Sequence, residues 1–591
     1  MINSTKTDGV ISYRISIDGR RLLDKYQVLR IEVTKQVNRI SHARIEIRDG
    51  CVSTGAFSAS DSGIFSPGNT IRIAMGYRSR IKTVFRGIIT KQSIGIEQQS
   101  TSVLRLECKN PAVKMTNGRH NACYFKMKDS QIIKKIASKY GIISTTQSSS
   151  FAHPQMVQYH ATDWDFILTR AQANGQLVFT ENGKIQVNKP RNGFSVATLS
   201  YGRNILDFNA EVSSHDQYPN ISGQTWEPDK QKLLKVKATA PSLTQGGNPG
   251  KQMASDLKTK PLVLQHGASL EKEDMQAWAD AYWQNSAMAS ISGSLATQGM
   301  AKLKPGDIIT LEGLAKHLNG KVWVNSVHHQ MVKGNWVSHI GFGLSGVWFG
   351  NKPDVHTPIN QGLLPAIKGL QIGVVTDTDD PQNAYRVRVR LPLITDDTKG
   401  VWARLGCNYA GKEYGCFFLP EVGDEVVLGF LDNDPRSPII LSALNSKKNP
   451  PSKEGKAAKP QKYLITKNKL KLCFDDQKKV IHIETPGGCK FDLDDSKKAI
   501  MLKDPNGNEL KMSNSGISLT SKKDINLSST MGDIILSGVN VNVTAATGDF
   551  SAAGLNITQE ADMNFTAKAN IKTEVSASAQ TIVKGGMVMI N

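Results

Sequence analysis

Large side chains are scarce at the end of this chain. From Leu510 to Asn591 there is no Trp, Tyr, Pro, Cys or His, and Phe550 and Phe565 are the only aromatic residues. A β-sandwich needs bulky residues to fill the roughly 10 Å between its sheets, so the deficit argues against one. No run approaches the ~18 apolar residues of a membrane-spanning helix. The opening Met-Ile-Asn-Ser-Thr-Lys-Thr-Asp-Gly lacks the apolar core of a signal peptide, which predicts synthesis in the cytoplasm. Release would then need a dedicated machine. Seven cysteines stand at 51, 108, 123, 407, 416, 473 and 489, an odd number with no Cys-x-x-Cys, predicting reduced thiols rather than a disulfide framework. Gly-x-x-x-x-Gly-Lys-Ser/Thr, His-Glu-x-x-His and Gly-x-Ser-x-Gly are all absent, so no catalytic motif supports an enzyme.

What fills the last stretch is a pattern. Apolar residues come in alternate pairs: Ile517/Leu519, Ile525/Leu527, Ile534/Leu536, Val541/Val543, Leu555/Ile557 and Met563/Phe565. Spacing two puts both members on one face of a strand. Gly, Asn, Asp, Ser or Thr separate the pairs. Short strand, corner, short strand is the signature of a solenoid. One such strand buries too little alone, so the pairs must meet their counterparts along one chain or across several chains wound together. The expected form is a β-helix on which the rest of the chain is a base.

The whole chain has 591 residues and a formal net charge of +21. From Leu510 on, six Lys balance six acids, so the excess lies before the rod. A basic excess can signal nucleic acid. Here no basic helix or basic–aromatic ladder accompanies it, and the reading is solubility or an acidic protein partner.

Residues 10–110 alternate apolar and charged, as in Leu29-Arg-Ile-Glu-Val-Thr-Lys and Ala43-Arg-Ile-Glu-Ile-Arg-Asp, predicting an antiparallel sheet with one wet face. Asp129 is placed to cap a helix over Ser130–Lys139. Thr162-Asp-Trp-Asp165 has the form of a capping box before a second helix that Asn174-Gly175 stops. A third helix is expected over about 271–289, with Met275, Trp278, Ala281 and Tyr282 as a core stripe. Residues 244–250 read as a loose loop and 351–364 as a linker. In 366–445, strands expected at 369–375, 385–391, 400–405, 416–419 and 424–431 fit a small barrel such as an OB-fold. His328-His329 lies on a strand-like run, where neighbouring side chains point oppositely and cannot share a metal. The acid pairs Asp379/Asp380, Asp396/Asp397, Asp475/Asp476 and Asp494/Asp495 read as turn residues rather than Ca²⁺ ligands.

Several of these stretches carry a family resemblance. Asp379-Asp-Pro-Gln-Asn-Ala-Tyr-Arg-Val-Arg-Val-Arg-Leu-Pro392 and Leu419-Pro-Glu-Val-Gly-Asp-Glu-Val-Val-Leu-Gly-Phe-Leu-Asp-Asn-Asp-Pro-Arg-Ser-Pro438 resemble the OB-fold motifs of VgrG spike proteins. Phe474-Asp-Asp, Asp492-Leu-Asp-Asp and Asp504-Pro-Asn-Gly-Asn-Glu-Leu are similar to the start of that family's β-helix. Thr162-Asp-Trp-Asp-Phe-Ile, ahead of Gly175-Gln-Leu-Val-Phe, is similar to a segment of its N-terminal region. The resemblance covers nearly the whole chain. It implies a mainly β protein with a minor α+β part: a phage-tail-hub-like region over 1–355, an OB-fold neck over 366–445, a Lys/Pro-rich linker over 446–463 and a triple-stranded intertwined β-helix needle over 464–591. It implies a homotrimer that punctures target envelopes for a contractile injection machine such as type VI secretion, or for an extracellular phage-like particle. Implied partners are a hexameric inner tube, baseplate proteins, effectors and a PAAR-type tip protein seated on Gly585, Gly586, Met587, Val588, Met589, Ile590 and Asn591. No cofactor, metal or nucleic acid is expected, and the needle would be expelled on contraction without a transmembrane segment. A single-chain β-helix that binds or cleaves polysaccharide is the distant alternative. At ~4.8 Å per stacked strand, about 15 strands would give a shaft of roughly 70 Å.

Overall fold

A computed structural model describes residues 10–78, 80–96, 102–243, 250–355, 364–394, 399–452 and 460–590. Contacts divide the chain into two units, Met1–Leu419 with Val427–Leu441, and Pro420–Val426 with Ser442–Asn591.

The first unit is built on a wide sheet whose centre is the strand Val28–Gln36. It pairs antiparallel with His42–Arg48 on one side and with Gly320–Val332 on the other. The first hundred residues and the strands near 330 therefore share one sheet. Alternation explains the faces: Ile31, Val33, Ile45 and Ile47 are buried in a core that also takes Phe65, Phe85 and Trp336. The opposite face is wet, and there Arg30 meets Glu46 at 3.6 Å and Arg105 meets Glu46 at 3.4 Å. The 17-residue strand Arg80–Ile96 escapes the alternation rule. Its apolar doublets Val84-Phe85 and Ile88-Ile89 lie near register shifts, one against Thr70–Tyr77 and one against Ser102–Lys109. A bulge turns consecutive residues toward one face.

Four helices flank the sheets among the described residues: α1 (Asp129–Lys139), α2 (Asp163–Ala173), α3 (Gly250–Asp256) and α4 (Lys272–Met288). Three of the four match expectation closely. Ile132, Ile133 and Ile136 of α1 pack with Trp164, Ile167 and Ala171 of α2. Thr162 caps α2, its hydroxyl accepting from the Asp165 amide at 3.0 Å while donating to the Asp165 carboxylate at 2.6 Å. Gly175, at φ +66°, ends the helix where a Cβ would be strained. On α4, Met275 and Ala281 are buried, and Trp278 and Tyr282 pack against the core of Ile221, Val236 and Leu264.

Two corrections concern helices. Asp129 does not cap α1; Lys128 is the capping position and Asp129 is the first helical residue. Its side chain turns inward instead, accepting from Arg170 at 2.7 and 2.9 Å, His153 at 3.0 Å and Asn174 at 2.8 Å. That charge cluster outbids a helix amide for the carboxylate. The expected loop at 244–250 lies outside the described residues up to 249, and a short helix begins at Gly250.

Strands Gln371–Asp377, Arg386–Arg390, Val401–Leu405, Glu425–Phe430 and Pro438–Ala443 close a five-stranded barrel around Val375, Val387, Val389, Ala403, Val426, Leu428 and Ile440. The expected strand at 416–419 is a correction. Cys416-Phe-Phe-Leu is exposed and unpaired in any ladder, and the fifth strand is Pro438–Ala443. A proline at a strand's first position removes no ladder bond, so Pro438 reads misleadingly as a turn. Both barrel motifs are stapled by an aspartate gripping an arginine. Asp380 accepts from Arg386 at 2.7 and 2.9 Å and from the amides of Gln382 and Ala384. Asp434 binds Arg436 the same way, at 2.7 and 3.0 Å. Bidentate pairing of this kind fixes geometry as well as adding energy.

Candidate functional site: an uncovered apolar stack

The second unit carries a seven-stranded antiparallel meander, from Gln461–Ile465 through Lys471–Asp475, Val480–Glu484, Lys490–Asp494, Ala499–Lys503 and Glu509–Ser513 to Gly516–Thr520. The sequence shows why it folds in five-residue strokes. Each turn carries an aspartate that accepts from backbone amides: Asp475 from Lys478 at 2.9 Å, Asp494 from Lys497 at 2.9 Å, Asp504 from Asn508 at 2.8 Å. Asp377 and Asp380 do likewise in the barrel. These acids are turn residues, while Asp396 and Asp397 lie outside the described residues.

Register sorts the sheet into two faces. One row runs Leu464, Leu472, Ile483, Phe491, Leu502, Leu510, Leu519, and the row beside it runs Phe474, Ile481, Leu493, Ile500, Met512, Ile517. Every member is apolar. The other face holds Cys473, His482, Asp492 and a ladder of Lys471, Glu484, Lys490, Lys503 and Glu509. Glu484 contacts Lys471 at 3.4 Å and Lys490 at 3.3 Å. The hydrogen bond from His482, then Lys490, holds the Glu484 carboxyl down at about 2. The exposures are inverted relative to an ordinary fold. Phe474 is 43%, Ile483 42% and Leu502 45% exposed on the apolar face, against 4% for Cys473 and 8% for Asp475 on the polar one. A sheet that is apolar on one face must bury it against another element.

Past Thr520 no strand is assigned through residue 590, and every residue from 522 to 590 is exposed. This is where the structure departs from the expected β-helix: a single chain supplies no ladder partner for these strokes. Yet the stretch is regular. Bends fall at 522–523, 530–532, 538–539, 546–548, 555, 562–563, 570–571, 578–579 and 586–587, a repeat of about eight residues. The apolar pairs ride between them, with Ile534, Val541 and Ile557 more than half exposed. A regular backbone with no partner of its own is shaped for one supplied from outside.

The expected tip residues Gly585–Ile590 form the last of these strokes and are all exposed, with Asn591 outside the described residues. His328 and His329 point to opposite faces, as expected of a strand. His328 bonds Thr34 at 2.8 Å on the wet face, and His329 is buried against Ser338 at 2.8 Å. One exposed group escaped the sequence reading: Tyr409, Tyr414, Phe417 and Phe418 project from the loop before the barrel's fourth strand. Their clustering with no polar alternation was the available signal. Among the described residues, no helix is long and apolar enough to cross a membrane.

A β hub, a closed barrel and a stack with its apolar face open define a spike of the baseplate type. Residues 7–333 match the family described as the Alg8 N-terminal domain, 371–444 the type VI secretion system/phage-baseplate injector OB domain, and 480–547 the phage baseplate V C-terminal trimerisation domain. The chain belongs to the first of these families over more than half its length and is a VgrG-type spike protein. It is 36% identical over 94 residues to the type VI secretion system spike protein VgrG5 of Pseudomonas aeruginosa, covering 14% of this chain and 12% of that one. Against VgrG3 of Vibrio cholerae it is 32% identical over 84 residues, covering 13% and 8%. The matched stretch is thus a small part of each relative. Among solved structures, an Escherichia coli component of the type VI secretion system aligns over 73% of this chain and 99% of its own at 15% identity and TM-score 0.36. A tail protein from Neisseria meningitidis aligns over 58% and 99% at 14% identity and TM-score 0.43.

Proposed function

We propose that three copies of this chain assemble into the spike of a contractile injection machine of the type VI secretion kind, with no catalytic role of its own. The observation that carries the reading is the open apolar face of the 461–520 sheet, continued by a partnerless eight-residue repeat. Three copies would turn those faces inward, and each fully buried Leu, Ile or Phe would contribute about 1.5–3 kcal/mol. Winding the strokes of 522–590 around one another would satisfy their backbone groups and leave no free sheet edge along the shaft. Such a rod resists bending, as puncturing requires. In this reading 1–355 is the hub on the inner tube, 366–445 the neck, 446–463 the linker, 464–591 the needle, and the blunt end seats a PAAR-type tip protein. Effectors ride on the assembly, which the contracting sheath expels. The test is the mass of the purified full chain by light scattering, with a heat-resistant trimer expected. A well-folded monomer would overturn the reading.

A further inference from the structure

Charges on the wet face of the hub sheet are matched near its middle, where Arg30 sits 3.3 Å from Glu32 and 3.6 Å from Glu46. The matching stops where the sheet meets α2. There the strand His42–Arg48, the end of Ser102–Lys109, α2 and residues 345–352 enclose a cleft of about 720 Å³. Arg39, Arg44 and Lys109 line it, and among the described residues none of the three has an ion-pair partner within 4 Å. Lys352 joins them, its ammonium 5.4 Å from the Phe349 ring. His42, on the same wall, is held low by burial and by the neighbouring Arg44 and Lys109. Of two carboxylates in the lining, Asp165 is tied to the Thr162 hydroxyl at 2.6 Å, leaving Glu107 alone against four cations.

The cleft is also preformed. Asn38 accepts from the Val178 amide at 2.9 Å, Gln172 accepts from the Phe349 amide at 2.7 Å, and Asn285 donates to the Ser345 carbonyl at 3.1 Å. Walls fixed in this way cost little ordering when something binds.

We propose that this cleft binds an acidic peptide segment of a partner protein. The partner is not a second copy of this chain, since the +21 charge falls before residue 510 and like copies repel. Single-stranded nucleic acid would want exposed rings to stack on. Here Trp164 is 6% exposed and Phe349 faces Lys352. The proposal does not depend on the trimer or on the needle.

The experiment is fluorescence anisotropy of a short fluorescein-labelled peptide of alternating Glu and Gly, titrated with the full chain. Arg44→Glu with Lys109→Glu should weaken binding on the order of tenfold, and the neutral pair Arg44→Gln with Lys109→Gln by less. The control pair Lys232→Glu with Lys235→Glu, on an exposed strand, changes net charge equally and should leave binding unchanged. Equal loss in the control would mean diffuse attraction and overturn the proposal. So would a cleft that prefers an oligothymidine of similar charge to the peptide, or cleft variants that change the protein's mass in solution.

Discussion

Single residues in the hub decide how the protein responds to acid. His329 is fully buried on the strand Gly320–Val332, with one ring nitrogen on Ser338 and the other without a partner. Burial, then the positive charge of Lys35, pushes its imidazole down to about 3. A histidine whose folded value lies below its unfolded value of about 6.5 contributes fully above pH ~6.5 and loses that contribution as pH falls toward the folded value. His42 and His328 are lowered too, by burial first, and act in the same direction. Asp129 has the opposite chemistry. Burial alone would raise its carboxyl, but hydrogen bonds from His153 and Arg170 hold it well below the usual carboxylate range. Its contribution is therefore intact until pH drops below about 4. Between pH 6.5 and 4.5 the histidines dominate, and His329 alone should remove about 2–3 kcal/mol of hub stability. Urea midpoints at pH 7.5 and 4.5 measure this. In His329→Gln the gap between the two midpoints should narrow, whatever the substitution does to stability at pH 7.5. An unchanged gap would assign the acid sensitivity elsewhere.

At the scale of elements, legibility followed local rules and failed where those rules are bent. Helices α1, α2 and α4 were readable because their apolar spacing and stop signals agree, down to Asn174-Gly175. Strands with strict alternation, such as Val28–Gln36 and His42–Arg48, were readable for the same reason. Arg80–Ile96 was not, because bulges put apolar doublets side by side. Pro438–Ala443 hid behind its proline, and Cys416–Leu419 posed as a strand through apolar content alone. The needle sheet was legible as hairpins, and its two-faced division followed from spacing two once register was known. That division makes a face-specific prediction. Ile483→Asp or Leu493→Asp places a carboxylate on the apolar face and should cost several kcal/mol per copy if that face is buried between chains. The trimer should be lost in light scattering. Lys511→Ser, on the polar face, should leave it intact. A trimer that tolerates Ile483→Asp would mean the polar face points inward.

The whole molecule divides its chemistry by region: a positively charged body before residue 510 and a neutral rod after it. A neutral shaft fits a part whose strokes meet only their own copies, since like charges would repel along its length. The rod's end is different, because nothing follows it to cover its last stroke. Met587, Val588, Met589 and Ile590 are 81%, 50%, 80% and 89% exposed, beyond the final bend at 586–587. In an assembly of three, these side chains repeat around the axis and form a small apolar platform. Contiguous exposed apolar surface of that kind marks a site for another protein. The eight-residue repeat says how much can be removed without harming the rest. Deleting residues 585–591 takes away about one stroke and leaves the preceding strokes and the 461–520 sheet to hold the copies together. The truncated protein should keep the mass and heat resistance of the full chain while losing capture of a purified PAAR-type protein in a pull-down. Retained capture would move the docking face to the side of the rod. Loss of both mass and capture would mean that the last stroke closes the assembly rather than presenting a platform.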